Sequence, residues 1–464
     1  MRKLTPLAIL FIVCSCSKPL LPKAYYYGVI TDGENRYRLG FNYTAKKPSL
    51  TIISFRGYWA PLKKHSIKGD SVFFSRADAN GYYRGRFDAA SNKIVGVWTS
   101  DDTVTYPLTF VPANPDTIRR LNPRVTSTYQ YTTPPAENDS IKTCHIKDVS
   151  INEEKMRSLV NGVMKKKFGF VHSLLISRND HLAVEEYFFE YKRNEHFGIQ
   201  SVTKSFVSAL TGIAIARGEI EGTTTPLCAY KAEFNDLVCS EQNKSIMLHD
   251  VLSMSTGLSW DEATYPYGHK KNSAMIASVA QDPFQYLFSQ PRSTRKKFAY
   301  NSYNHTAMSH VLKAATGLAN ADEYKQRIME PLGITNYDLG EAVNGIIGDI
   351  FLRPRDMLKF GSMYLNNGIY NGKQIVPSDW VKESTSTKIQ IEEGLGYGYF
   401  WWTKKFKYQG SMVDSYFAWG YGGQYIFVVP DLKLVVVLNG TNWSTDPKRY
   451  YFEMMEDFIL PAIE

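Results

Sequence analysis

Between residues 24 and 112 apolar and polar positions alternate in short runs: Tyr25–Ile30, Tyr37–Tyr43, Leu50–Phe55, Ser71–Phe74, Tyr82–Phe87, Ile94–Trp98 and Val104–Phe110. Asp32-Gly33, Lys68-Gly69-Asp70, Asn80-Gly81 and Ser91-Asn92 punctuate them. Period-two runs separated by turn residues predict seven or eight short antiparallel strands in a small barrel or sandwich. Nothing in this stretch points to catalysis. Binding, spacing, shielding of a neighbouring cleft and plain scaffolding all remain open for it. Residues 113–140 carry Pro115, Pro123, Pro134 and Pro135 among Thr, Ser and Asn, the composition of a linker or extended arm.

From residue 141 the pattern is mixed. Asn152–Lys167 has helical spacing. Ser173–Ile176 and Leu182–Phe188 read as a hairpin about Asn179-Asp180, and Ser201–Arg217 as an apolar helix stopped by Gly218. Near the C-terminus, Tyr425–Val429 and Leu432–Leu438 form a second hairpin about Pro430-Asp431, and Tyr450–Ile463 an amphipathic closing helix. Strands first, helices in the middle and strands last predict an α+β domain over 141–464. Its antiparallel sheet is built from both ends, flanked by helices and interrupted by an all-helical insert.

Composition adds little to this picture. Of 464 residues 44% are hydrophobic, 21% charged and 14% aromatic, as expected of a globular chain with β-structure. The net charge of +9 is scattered, with small clusters at Lys165–Lys167 and Arg295–Lys297, and no basic stripe suggests nucleic acid.

The N-terminus changes the picture more. Arg2 and Lys3 precede the apolar run Leu4–Val13, then Val13-Cys14-Ser15-Cys16. This reads as a secretory signal over residues 1–15, too short to span a bilayer. Val13 and Ser15 ahead of Cys16 resemble a bacterial lipobox. The resemblance implies cleavage before Cys16, acylation there, and an exported, membrane-anchored protein on the periplasmic or cell-surface side. In an oxidising compartment Cys144, Cys228 and Cys239 are left. Cys228 and Cys239 are spaced to close a loop, with three buried thiols as the alternative.

Several chemistries lack a motif here. There is no H-E-x-x-H, no paired C-x-x-C and no G-x-S-x-G. No metal or cofactor is expected. The positive signal is Ser201-Val202-Thr203-Lys204 at the head of a long apolar helix. Helical positions i and i+3 share a face, so hydroxyl and ammonium stand side by side where the helix terminus adds positive potential. An adjacent base or lysine is what a serine nucleophile requires. Ser15–Lys18 and Ser293–Lys296 repeat the spacing without such a helix, so spacing alone also fits an ordinary helix-start serine.

A second signal is Phe298-Ala299-Tyr300-Asn301-Ser302 ahead of the helical run Ala307–Ala315, where Tyr300 can project a phenol into a cleft or simply pack. A third is Ala418-Trp419-Gly420-Tyr421-Gly422-Gly423-Gln424, entering the strand Tyr425–Val429. A glycine-lined strand edge can offer an N–H to an oxyanion, or be no more than a turn.

The order of these three motifs resembles the beta-lactamase-related serine hydrolases: class C beta-lactamases, penicillin-binding-protein-like peptidases, certain esterases and 6-aminohexanoate-dimer hydrolases. The resemblance covers roughly 140–464, with further matches at Leu248–Trp260, Arg353–Gly368, Gly372–Glu383 and Tyr397–Trp402. It is nearest to the dimer-hydrolase branch, whose third motif reads G-x-G-G-Q. It implies Ser201 as acylating nucleophile, Lys204 as proton partner and Tyr300 as base or base partner. It places Ser302 at the third position of the Tyr300-Asn301-Ser302 motif. The oxyanion hole would combine the Ser201 N–H with one from Gly422, Gly423 or Gln424. Trp419-Gly420 stands where many relatives carry K-T-G or H-x-G, so a cation suited to a substrate carboxylate is missing. The expected reaction is hydrolysis of a small ester or amide. A weakly active or inactive binding lipoprotein, or a beta-lactamase- or D-aminopeptidase-like enzyme, are the alternatives.

Overall fold

The computed structural model describes residues 21–32, 35–43, 48–52, 60–76, 81–100, 104–113, 129–189, 191–265, 267, 269–341, 345–442 and 447–464. The leader, Cys16 and the tips of several barrel turns lie outside these residues. The chain divides into two units, Met1–Asn122 and Pro123–Glu464.

The first unit is a closed barrel of eight antiparallel strands, each paired with the next. They run Tyr25–Asp32, Asn35–Asn42, Ser49–Ile52, Ala60–Lys68, Ser71–Arg76, Tyr82–Asp88, Lys93–Ser100 and Val104–Pro112. Tyr26 opposite Pro112 and Tyr27 opposite Val111 close the ring. Alternation along the second, fifth, sixth and eighth strands turns Phe41, Phe74, Tyr83 and Phe110 inward, as a barrel of this size requires. The Phe41 and Phe74 rings stack at 4.7 Å, Phe74 and Tyr83 at 4.9 Å, and Phe110 meets Tyr83 edge-on at 5.2 Å. Glycines make room for Tyr83: a Cβ at Gly85 would stand 2.5 Å from its hydroxyl oxygen. The fourth strand, Ala60–Lys68, was not among the expected runs. It carries Lys63, Lys64, His65 and Ser66 in sequence, so no alternation announces it.

The second unit is built on a nine-stranded sheet. Its order is Ile389–Glu392, Leu395–Tyr397, Trp402–Tyr408, Ser411–Gly420, Gln424–Val429, Leu434–Gly440, Val171–Arg178, His181–Tyr187 and Lys142–Thr143. The two expected hairpins meet where Leu174 faces Leu438 and Ile176 faces Val436. Asn179 and Asp180 both take positive φ, 52° and 61°, the turn geometry that matches strand twist in a tight hairpin. The strands Gln424–Val429 and Leu434–Gly440 are buried throughout. The helix Pro354–Leu365 lies close upon them, since a Cβ at Gly361 would reach Ile426 and Val435 at 2.7 Å.

The insert between the two ends is mostly helical. Thr203–Ala216, Leu248–Leu252 and Tyr303–Thr316 are its relevant helices. It also holds a three-stranded sheet of Phe197–Gly198, Ile347–Leu352 and Asp338–Glu341 that the apolar pattern did not announce. Residues 129–140, read from composition as linker or arm, run extended along the second unit. Tyr131 donates to Ala183 O at 2.9 Å, and Arg355 donates to Pro135 O at 2.9 Å and to Asp139 at 2.7 Å. Cys228 and Cys239 are bridged, which resolves the spacing noted above, and Cys144 is a half-buried free thiol.

Candidate active site

The strand Phe197–Gly198 leads into a single 3-10 turn, Gln200–Val202, and the α-helix begins only at Thr203. In a 3-10 turn side chains three apart eclipse. Lys204 accordingly donates to Ser201 Oγ at 2.9 Å. Lys204 is only 3% exposed, so its charge sits in a largely dry environment, while Ser201 keeps partial access to solvent. Gln200 just before the nucleophile candidate has φ +54°, a left-handed conformation unusual outside glycine.

Tyr300 comes from the loop before the helix Tyr303–Thr316. Its ring centre lies 5.1 Å from Lys204 Nζ and stacks on Trp402 at 6.0 Å. The loop is tied down on both sides. Ala299 N donates to Met254 O at 2.8 Å, and Asn304 Nδ2 donates to Val251 O at 2.8 Å. Ser302 N donates to Glu262 Oε2 at 2.8 Å, and the Ser302 hydroxyl donates to Glu262 Oε1. Glu262 also accepts from Trp260 Nε1 at 2.9 Å and from the Tyr267 hydroxyl. The position that the motif assigns to Ser302 is thus held by a buried carboxylate.

The third element is the end of the strand Ser411–Gly420. A Cβ at Gly420 would stand 2.3 Å from Ile199 O and 3.1 Å from Gln200 Cβ, so the strand runs directly against the nucleophile turn. Trp419 beside it packs on Trp402 at 5.2 Å and stacks on Tyr425 at 5.8 Å. Ser201 and Lys204, Tyr300, Trp402 and Gly420 therefore converge from four distant stretches of chain.

A model of the family described as Beta-lactamase matches residues 169–453, more than half of the chain. The chain belongs to the beta-lactamase family. This is a hydrolase family of the serine acyl-enzyme type. An uncharacterized protein of Alkalihalophilus pseudofirmus is 22% identical over 325 residues, covering 60% of this chain and 88% of that one. A candidate 6-aminohexanoate-dimer hydrolase from Bacillus anthracis shares the fold with TM-score 0.52 at 21% identity, over 62% of this chain and 79% of its own. EstCE1, a hydrolase with promiscuous acyltransferase activity, does so with TM-score 0.53 at 12% identity, over 67% and 97%.

Within this family fold, Gly422, Gly423 and Gln424 form the turn and the strand start that follow Gly420. Gly423 N donates to Gly420 O at 3.2 Å to close the hairpin turn, and a Cβ there would meet the Tyr451 hydroxyl at 2.0 Å. Gly422 O accepts from Asn442 N at 2.7 Å. The Gln424 amide donates to Gly440 O at 2.7 Å and accepts from Asn439 at 2.9 Å. These residues serve the sheet and its C-terminal neighbours. Gly420 abuts the nucleophile turn directly.

Two half-buried residues beside the nucleophile had no motif to announce them. Asp349 accepts from Gln200 N at 2.7 Å and from Gln200 Nε2 at 2.8 Å. Burial pushes its carboxyl up to about 7, against the opposing pull of the Ile350 and Gln200 N–H groups, Thr203 and the Lys204 charge. His305 Nδ1 lies 2.5 Å from Ser302 O, and burial together with the Lys204 ammonium holds its imidazole down at about 3. His305 is therefore neutral at physiological pH. Among the described residues no group of three or more His, Cys, Asp or Glu side chains is placed to hold a metal ion.

Proposed function

We propose that the chain is a lipid-anchored serine hydrolase that opens a small, uncharged ester or amide through an acyl-enzyme on Ser201. The observation that carries this reading is the Lys204 ammonium, 2.9 Å from Ser201 Oγ with its nitrogen 5.1 Å from the Tyr300 ring centre.

The Ser201 oxygen attacks the substrate carbonyl while its proton passes to the Lys204–Tyr300 pair, which enters the step one proton short, as an ammonium beside a phenolate or as a neutral amine beside a phenol. The oxyanion is met by the Ser201 N–H and by an N–H at the strand end that Gly420 brings alongside. The proton returns to the leaving alcohol or amine, and water then releases the acyl group by the same route.

Trp419-Gly420 stands where many relatives carry K-T-G or H-x-G, with no cation in the stretch, and Trp419 is packed between Trp402 and Tyr425. This supports a neutral ester or amide over a substrate carrying a carboxylate. The names of the Bacillus anthracis neighbour and of EstCE1 point to amide and acyl-transfer chemistry respectively.

Export and acylation at Cys16 belong to the same proposal. Metabolic labelling with an alkynyl fatty acid should mark the wild type and spare Cys16→Ala. For the chemistry, a fluorophosphonate probe should modify the wild-type protein and leave folded Ser201→Ala unmodified, with nitrophenyl butyrate turnover lost in parallel. A folded wild-type protein that takes up no probe would favour the binding-lipoprotein alternative.

A further inference from the structure

The nucleophile turn contains a backbone conformation that its own residue does not favour. Gln200 sits at φ +54° without being glycine, directly ahead of Ser201. Such a conformation persists where surrounding groups over-determine it. Here one side chain does so. Asp349, on the strand Ile347–Leu352, accepts from the Gln200 main-chain N–H with one oxygen and from the Gln200 side-chain amide with the other, at 2.7 and 2.8 Å. The first oxygen also accepts from Ile350 N at 2.8 Å and faces the Thr203 hydroxyl at 3.4 Å.

The approach is built in from both sides. The strand Phe197–Gly198 pairs with Ile347–Leu352, so Gly198 lies opposite Phe351 and the chain enters the turn already fixed to the Asp349 strand. A Cβ at Gly198 would stand 2.9 Å from Asp349 Oδ2. On the far side, Gly420 packs against Gln200 Cβ.

We infer that Asp349 is a positioning residue: it clamps Gln200 in the left-handed conformation that presents Ser201 to Lys204. This rests on the serine-hydrolase reading of Ser201 for its activity readout but not for its structural one. The clamp is a matter of geometry. An asparagine at 349 accepts from the Gln200 N–H and, once the Gln200 carboxamide turns over, donates to its oxygen. Alanine makes neither bond. Glycine at 200 adopts positive φ without help, so it removes the need for the clamp.

The test is a cycle of D349A, Q200G and the double variant, with D349N alongside, read by the rate of fluorophosphonate labelling, the kcat-against-KM split and thermal stability. D349A should label about 10- to 100-fold more slowly, since small misplacements at a reacting atom cost that much. The loss should fall in kcat with KM little changed. D349N should stay within a few-fold of wild type. In the Q200G background D349A should cost little further. Equal losses from D349A in both backgrounds, or a folded D349A that labels at the wild-type rate, would overturn the inference.

Should D349A not fold, the double variant against Q200G carries the comparison, and a tenfold deficit there overturns it. A wild-type protein that never labels would sink the hydrolase reading alone. A crystal structure of D349A, or of D349N where D349A does not fold, then decides. For D349A, Gln200 must have left positive φ and Ser201 Oγ must have moved off Lys204 Nζ. For D349N, both must be retained. The opposite result in either variant overturns the clamp.

Discussion

Gly420 and Ile199 touch backbone to backbone: a Cβ on Gly420 would stand 2.3 Å from the Ile199 carbonyl oxygen. The contact joins the end of the strand Ser411–Gly420, inside the large sheet, to the turn that carries Ser201. Because the obstacle is main chain, no side-chain rotation relieves it. Gly420→Ala should push the strand end and the nucleophile turn apart, at a cost of about 1–3 kcal/mol in stability. Catalysis should suffer more, with kcat/KM for nitrophenyl butyrate falling about tenfold or further. Turnover and thermal melts of purified variant and wild type check this. Wild-type turnover in G420A would mean that the strand end plays no part in the reaction.

Lys204 is nearly enclosed, 3% exposed, and bonded to Ser201 Oγ. If it carries the proton between nucleophile and leaving group, charge alone is not enough. Lys204→Met keeps the length and removes the amine, whereas Lys204→Arg keeps the charge on a group that does not release its proton. Both variants should lose about 10³-fold in kcat/KM, within the usual range for a general acid–base group. Substantial activity in K204R would show that Lys204 acts as a fixed charge beside the Tyr300 ring.

How far the sequence led depends on the range of the interactions. Ser201 and Lys204 were found because a one-turn spacing is a local property, and the two hairpins because Asn179-Asp180 and Pro430-Asp431 sit between apolar runs. One sheet built from both ends of the domain was expected from chain order, which is also a simple signal, and the ends meet where Val171–Arg178 pairs with Leu434–Gly440. Asp349 and Glu262 gave no signal. Each is a single carboxylate whose meaning comes from partners far along the chain, Gln200 for one and Ser302 for the other. Gly422 and Gly423 announced a turn, and positive φ at both is what the hairpin requires. Gly420 makes room for the nucleophile turn at ordinary backbone angles, which no local pattern marks.

Glu262 holds the Tyr300 loop by accepting from four donors: Trp260 Nε1, Ser302 N, the Ser302 hydroxyl and the Tyr267 hydroxyl. Two of these, the indole and backbone N–H groups, are donors only. Glu262→Ala leaves both without an acceptor in a buried site and should cost about 3 kcal/mol. Glu262→Gln should cost less than about 1 kcal/mol, because its oxygen serves the two N–H groups and its amine meets hydroxyls that rotate to accept. Chemical denaturation of the three proteins distinguishes these outcomes. Equal stability of E262A and wild type would show that the loop is held by Met254 and Val251 alone.

Asp349 also sets a pH dependence whose sign follows from its burial. Its carboxyl is raised in the folded protein from an ordinary 3.8 to about 7. A group raised on folding favours the native state while protonated, and that contribution disappears as pH rises through the folded value. D349N does not titrate there. The stability of the wild type relative to D349N should therefore decline between about pH 4 and pH 8. Glu186 and Glu323, likewise raised to about 7 by burial, are present in both proteins and cancel in the difference. Urea unfolding of the pair across this range measures it. A difference that stays flat would mean that the Gln200, Ile350 and Thr203 donors together with Lys204 offset the desolvation of Asp349. A difference that rises with pH would mean that they outweigh it and that the carboxylate is the form the folded turn prefers.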